Sequence, residues 1–194
     1  MRFSRAPSLS ANQEDIKQLF ERAEREFMLS RSKVKMKTSL ENLDAGDYTI
    51  QHLSEGQSVE LPRWVSEELV EMKLAESLEE HFEDELSRTL SKEKMMGPLQ
   101  LSYLPPDFYM RMRRRLAGTS NATGGEVRRE DFEKLRNACY DLIGMRLSKL
   151  LSLSSSSSQG SSLVDRLAPE EDAFFNISQS LSREWRAALL GGAT

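Results

Sequence analysis

At Pro62 the hydrophobic period of the chain changes, and that change restricts the fold more than any other feature of its 194 residues. Upstream, apolar residues alternate. Lys33-Val-Lys-Met-Lys-Thr38 and Tyr48-Thr-Ile-Gln-His-Leu53 each read as a half-buried strand, with Tyr48, Ile50 and His52 on one side of the second. Turn-forming clusters at 44–47 and 54–57 separate these pieces, and Ser58–Leu61 is a third short extended segment. Downstream, the apolar residues recur at helical spacing. Pro62 ends the strand, and its fixed φ suits the first turn of a helix. That helix is expected to bury Trp64, Val65, Leu69, Val70 and Met72, with Trp64 anchoring it against strands that bury Val59 and Leu61.

The remaining periodicity is helical. Residues 1–11 are rich in Ser, Arg and Pro and are expected to be disordered, and a helix is predicted over 12–30, capped by Asn12. A charged helix is predicted from Ala75 to about Met96, striped by Leu78, Phe82, Leu86 and Leu90 among the acids of 76–85. Gly97-Pro98 breaks it, and Leu99–Leu104 connects it to a helix opened by Pro105-Pro106-Asp107 that holds Phe108, Tyr109, Met112 and Leu116. Gly118–Gly125 is read as a flexible loop. A long helix then runs over 126–153 with Phe132, Leu135, Cys139, Leu142, Met145 or Arg146, and Leu150 at helical spacing. Residues 154–162 are a Ser-rich linker. The last helix opens at Pro169 and carries Phe174 or Phe175, Ile177, Leu181, Trp185, and Ala188 or Leu189, before Gly191-Gly192 ends it. The expected class is α+β and predominantly helical: a small β-rich domain over 12–73 with flanking helices, then a helical bundle over 74–190.

Chemistry is hard to find along this chain. One cysteine, Cys139, lies on an apolar stripe and reads as a buried, inert thiol. His52 and His81 have no ligand partner at metal spacing, and no phosphate loop or nucleophile elbow is present, so no catalytic, cofactor-binding or metal residue is assigned. The formal net charge of −4 argues against nucleic acid as the partner of the whole chain. Arg111, Arg113, Arg114 and Arg115 form the one strongly basic face. It could pair with the acidic 76–85 segment, with a partner protein or, joined by Arg128 and Arg129, with nucleic acid. No window has the length and apolarity of a membrane span or signal peptide, so a soluble intracellular protein is expected, and the sequons at Asn121 and Asn176 are read as chance.

The segment Gly56-Gln-Ser-Val-Glu-Leu-Pro-Arg-Trp-Val-Ser-Glu-Glu-Leu69 resembles the GINS family, whose B domain carries a Gly-x-x-Val-Glu-Leu/Val-Pro-Leu-Trp-Leu-Ala signature. Val59, Leu61, Pro62 and Trp64 match it. Arg63 and Val65-Ser66 depart from it, and Arg63 implies a wetter surface than the family norm. Three other stretches are similar to family members: Glu26-Phe27-Met28 before Val34-Lys-Met-Lys, Leu104-Pro-Pro-Asp-Phe-Tyr109, and Leu163–Phe175. The resemblance spans about 24–190, and the β-rich unit precedes the long helices, as in the Psf-two/Psf-three class; it looks like the single archaeal subunit standing for both.

The resemblance implies a non-catalytic scaffold of chromosomal DNA replication that needs no cofactor. It implies a 2:2 heterotetramer with a Sld-five/Psf-one-like subunit, whose core is built from the helical A domains. It also implies contact with the MCM helicase and a Cdc-forty-five/RecJ-like protein, contact with primase or polymerase in various lineages, weak or indirect DNA contact, and a cytoplasmic, nucleoid-associated (in a eukaryote, nuclear) location. Helices of this length leave more apolar face than one thin core needs. Phe132, Leu135, Leu142, Phe174, Phe175, Leu181 and Trp185, with Arg111 and Arg114, are therefore the expected subunit or partner contacts. The alternatives are a helical adaptor unrelated to replication, or a nucleic-acid module built on the Arg111–Arg115 face.

Overall fold

A computed structural model describes residues 9–45, 48–121, 129–156 and 166–191. The chain divides into two compact units, residues 1–80 and 81–194.

In the first unit, α1 (Leu9–Leu29) leads into a sheet formed by β1 (Arg31–Met36), β4 (Ser58–Pro62) and β5 (Ala75–Ser77), in the order β4-β1-β5 and antiparallel throughout. β2 (Leu40–Ala45) and β3 (Tyr48–Leu53) form a separate hairpin, and α2 (Arg63–Glu71) follows Pro62 directly. Strict alternation along β1 buries Ser32, Val34 and Met36 and exposes the intervening basic residues. Val34 and Met36 join Leu53, Leu61, Val65, Leu69 and Ala75 in one core, with Leu40 and Leu43 of the hairpin packed against it.

The strand-to-helix corner forms as the period change predicts, but its two central side chains exchange roles. Trp64, the expected anchor, is 38% exposed, whereas Arg63 is only 6% exposed. With Pro62 at the N-cap, positions 65 and 69 face the sheet, and 64 lies about 100° away around the helix. Arg63 instead turns back over the Phe27 ring, 4.2 Å from guanidinium carbon to ring centroid, and donates to both carboxylate oxygens of Glu79 at 2.7 and 2.8 Å. In place of the wetter surface expected at Arg63 stands a part-buried ion pair, the arginine covered and Glu79 partly open.

The helix expected from Ala75 is also corrected. Lys73 takes φ = +62° after the C-cap Met72. Its N–H donates to Val70 O and that of Leu74 to Leu69 O, the paired bonds of a Schellman motif. The chain reverses there and adds Ala75–Ser77 to β1, held further by Leu78 N–H to Lys33 O at 3.0 Å. The acids at 76, 79 and 80 therefore belong to the first unit, which ends at Glu80 and not at residue 73.

The second unit is helical: α3 (Phe82–Met95), α4 (Phe108–Asn121), α5 (Arg129–Ser155) and α6 (Pro169–Leu189). Phe82, Leu86, Leu104, Phe108, Met112, Leu135, Cys139, Leu142 and Ala168 form its main core. Leu101, Leu150, Leu153 and Phe175 form a second. Three boundaries differ from expectation. α1 begins at Leu9, inside the stretch expected to be disordered, and residues 1–8 lie outside the described residues. α4 continues through 118–121 of the expected loop, of which 122–125 are outside the described residues. α5 absorbs Ser154 and Ser155, because Ser154 is buried and its hydroxyl back-bonds to Leu151 O at 3.0 Å; residues 157–162 of the linker lie outside the described residues.

Candidate subunit interface

α5 presents two apolar faces. The buried one runs through Leu135, Cys139, Leu142, Arg146, Leu150 and Leu153. The other is exposed and carries Tyr140, Ile143, Leu147 and Leu151, each one residue along from a buried position and so rotated about 100° around the axis. α6 packs through Glu171 and Phe175 near its start. Beyond that turn its apolar stripe, Ile177, Leu181, Trp185 and Leu189, faces solvent; Leu181 is 67% and Trp185 64% exposed. Arg146 meets Glu171, and Ser155 meets Arg186, so α5 and α6 run in the same direction. The Arg186 guanidinium donates to Ser155 O at the C-terminal end of α5, where the helix dipole favours a cation.

The expected contact residues therefore separate. Leu135, Leu142 and Phe175 are corrected: they are buried in the unit's own cores and have no free surface to offer a partner. Phe132 is half-buried, and Phe174 packs partly against the second core. Leu181 and Trp185 lie on the open face of α6. Arg111 chelates Glu85 at 2.5 and 2.8 Å and also reaches Asp107 at 3.2 Å; Arg115 pairs with Glu83 at 2.6 Å. Arg114 is half-buried and has interactions within the chain. The basic face of α4 is thus largely neutralised by the acidic start of α3. Of the strand-to-helix signature, Leu61, Pro62 and Arg63 are buried, Val59 is partly buried and Trp64 is exposed.

Beneath this face lies a buried polar junction. Arg146, 1% exposed, directs all of its N–H groups at acceptors. Nε and one terminal nitrogen bond Glu171, the latter at 2.6 Å. The other terminal nitrogen bonds Glu93 at 3.0 Å and Ser102 O at 2.9 Å, and Arg166 O accepts at 3.3 Å. Glu93 also accepts from Lys149 at 2.7 Å and from the backbone N–H and hydroxyl of Ser102 at 3.0 and 2.5 Å. Tyr109 donates to Glu171 at 2.6 Å, and the same carboxylate accepts Ala168 N–H at 3.1 Å, capping α6. The junction thereby joins α3, α4, α5 and α6.

Burial opposes ionisation of Glu93, but the bonds from Lys149 and Ser102 and the charge of Arg146 outweigh it and hold its carboxyl below the usual range. Burial, with the Glu171 charge, pushes the Tyr109 phenol up. Burial also lifts the Cys139 thiol to about 11, aided by the charge of Glu83, so it remains a thiol.

The sequence places Tyr109 and Arg146 on helices but does not show that they meet Glu93 and Glu171. A signal was available: Arg146 occupies a stripe position on α5, and Glu93 continues the 82–86–89 stripe of α3. Two opposite charges on inward-facing stripes call for each other. Among the described residues, no group of acids, histidines and cysteine is arranged to hold a metal ion, and no helix is long and apolar enough to cross a membrane.

The family model of the GINS complex protein helical bundle domain matches residues 71–190. No curated protein matches the chain. The matched span is more than half of the chain and includes α3, α4, α5 and α6 in full. The chain belongs to the GINS complex protein family.

Proposed function

We propose that the chain is a Psf-two/Psf-three-like scaffold subunit that binds a Sld-five/Psf-one-like subunit through the exposed faces of α5 and α6. GINS proteins are non-catalytic scaffolds of DNA replication that act in complex with one another, and that much follows from family membership. The observation that carries the finer reading is the exposed stripe Ile177, Leu181, Trp185 and Leu189 on α6, beside which α5 exposes Tyr140, Ile143, Leu147 and Leu151 as a second apolar row. Exposed apolar rows of this kind are costly in a monomer and suit a permanent interface. The class assignment is supported by chain order, since the β-rich unit precedes the matched helical span.

In this reading the assembly is a 2:2 heterotetramer. It bridges the MCM helicase and a Cdc-forty-five/RecJ-like protein at the fork, in the nucleoid or nucleus, and its contact with DNA is indirect. Coexpression with a Sld-five/Psf-one-like subunit, followed by light scattering, tests the interface. The wild type is expected at the tetramer mass, and Leu181→Glu with Trp185→Glu is expected to release separate subunits. A tetramer that survives both charges overturns the interface. Failure of the intact tetramer to retain MCM overturns the bridging role alone.

A further inference from the structure

The first unit carries a second surface that the α5–α6 interface leaves unused. On the open face of the sheet, β1 displays Arg31, Lys33 and Lys35, and Lys37 follows just beyond its end, all exposed. Lysine is disfavoured in strands, and like charges two residues apart on one face, about 6.7 Å, repel each other. The row lies on the central strand, so it does not serve to blunt a sheet edge. Compensation is partial. Glu60 of β4 stands opposite Lys33, and Glu76 of β5 stands opposite Lys35 and is 3.6 Å from Lys37. Lys33 and Lys35 form no ion pair among the described residues.

We infer that this face docks an acidic protein segment in extended conformation, its carboxylates at alternate positions lying over the lysine row. An extended chain has the same two-residue repeat as β1 and stays in register along it, whereas acids spaced along a helix rotate away from a straight row. A single nucleic-acid strand fits less well. The described face offers no aromatic ring for bases to stack on.

The test uses the full chain at low ionic strength and three fluorescent probes: a ten-residue peptide with glutamate at every second position and serine between, the same peptide with glutamine, and an oligothymidylate. The glutamate peptide is expected to bind. Lys33→Glu with Lys35→Glu is expected to weaken it at least about tenfold. Lys94→Glu with Lys134→Glu, which changes net charge equally, is expected to alter it by less than about twofold. Unfolding midpoints check that the variants fold, and Lys33→Ala with Lys35→Ala replaces the reversal if it does not. The inference is overturned if the glutamate peptide does not bind, if the glutamine peptide binds equally, if both double reversals weaken binding alike, or if the oligothymidylate is the tighter lysine-dependent ligand. None of these outcomes bears on the α5–α6 interface.

Discussion

Replacing Arg146 with methionine removes the charge on which the helical unit converges while retaining most of the side chain's volume. Glu93 would keep Lys149, but Glu171 would lose its cation and retain only the Tyr109 hydroxyl and the Ala168 N–H. Breaking a buried pair from one side costs about 3–5 kcal/mol, and Arg146→Met also abandons the carbonyls of Ser102 and Arg166. A loss of about 4 kcal/mol, or roughly 10–20 °C in Tm, is expected for a unit of this size.

The loss should also depend on pH with a definite sign. In the wild type, Glu93 has a native pKa below its ordinary 4.5. Its contribution is present above that value and fades as pH falls through the native one. In the variant the Glu93 carboxyl loses the Arg146 charge that helps to hold it down, so the stability it contributes is smaller. Urea unfolding at pH 7 and pH 4 should therefore show the gap between variant and wild type narrowing at pH 4. Neutralising the partners as well, in Arg146→Met/Glu93→Gln/Glu171→Gln, should recover at least about half of the loss. A loss under about 0.5 kcal/mol, a gap indifferent to pH, or a triple variant no better than the single one would refute the reasoning.

Other expectations follow from particular contacts. Arg63→Ala should cost about 2–3 kcal/mol in the first unit and Trp64→Ala under about 1, an order opposite to that expected of a buried tryptophan, read by urea denaturation. Lys73→Gly should stabilise by about 0.5–1 kcal/mol, because glycine takes the left-handed Schellman position without a Cβ penalty; no rise in Tm would count against the motif. Trp185→Ala should weaken association with the partner subunit by about 2–4 kcal/mol, measured by calorimetry, while leaving the Tm of the isolated chain nearly unchanged. Cys139 should resist iodoacetamide in the native protein at pH 8 and react on unfolding, followed by mass spectrometry.

What the sequence disclosed was set by period. The alternation around Val34 and Met36, the corner at Pro62 and the stripes of α4, α5 and α6 are all properties of a local window, and each emerged from one. What it concealed depended on the orientation of single residues or on distant partners. Nothing local to Lys73 announces a left-handed residue, since glycine is the usual occupant, so the acids beyond it read as the start of a helix. The charge of Arg63 suggests exposure, yet Phe27 and Glu79, distant in sequence, make its burial possible. Leu135, Leu142 and Phe175 share a stripe character with Leu181 and Trp185, and only the packing of α3, α4 and α6 on α5 shows which are spent inside the unit. The GINS resemblance rests on stretches on both sides of residue 71, and the family match over 71–190 agrees with it.

The junction around Arg146 also has a mechanical consequence. Glu171 clamps the first turn of α6, and Trp185 stands 14 residues further on, about 21 Å along the axis. Over such an arm, a tilt of about 5° at the clamp displaces the tryptophan by roughly 2 Å, enough to spoil a close-packed contact. The Arg186–Ser155 bond holds the far end of α6 as well, so the aim of the stripe is fixed at two points, and a weakened junction would leave only the exposed one.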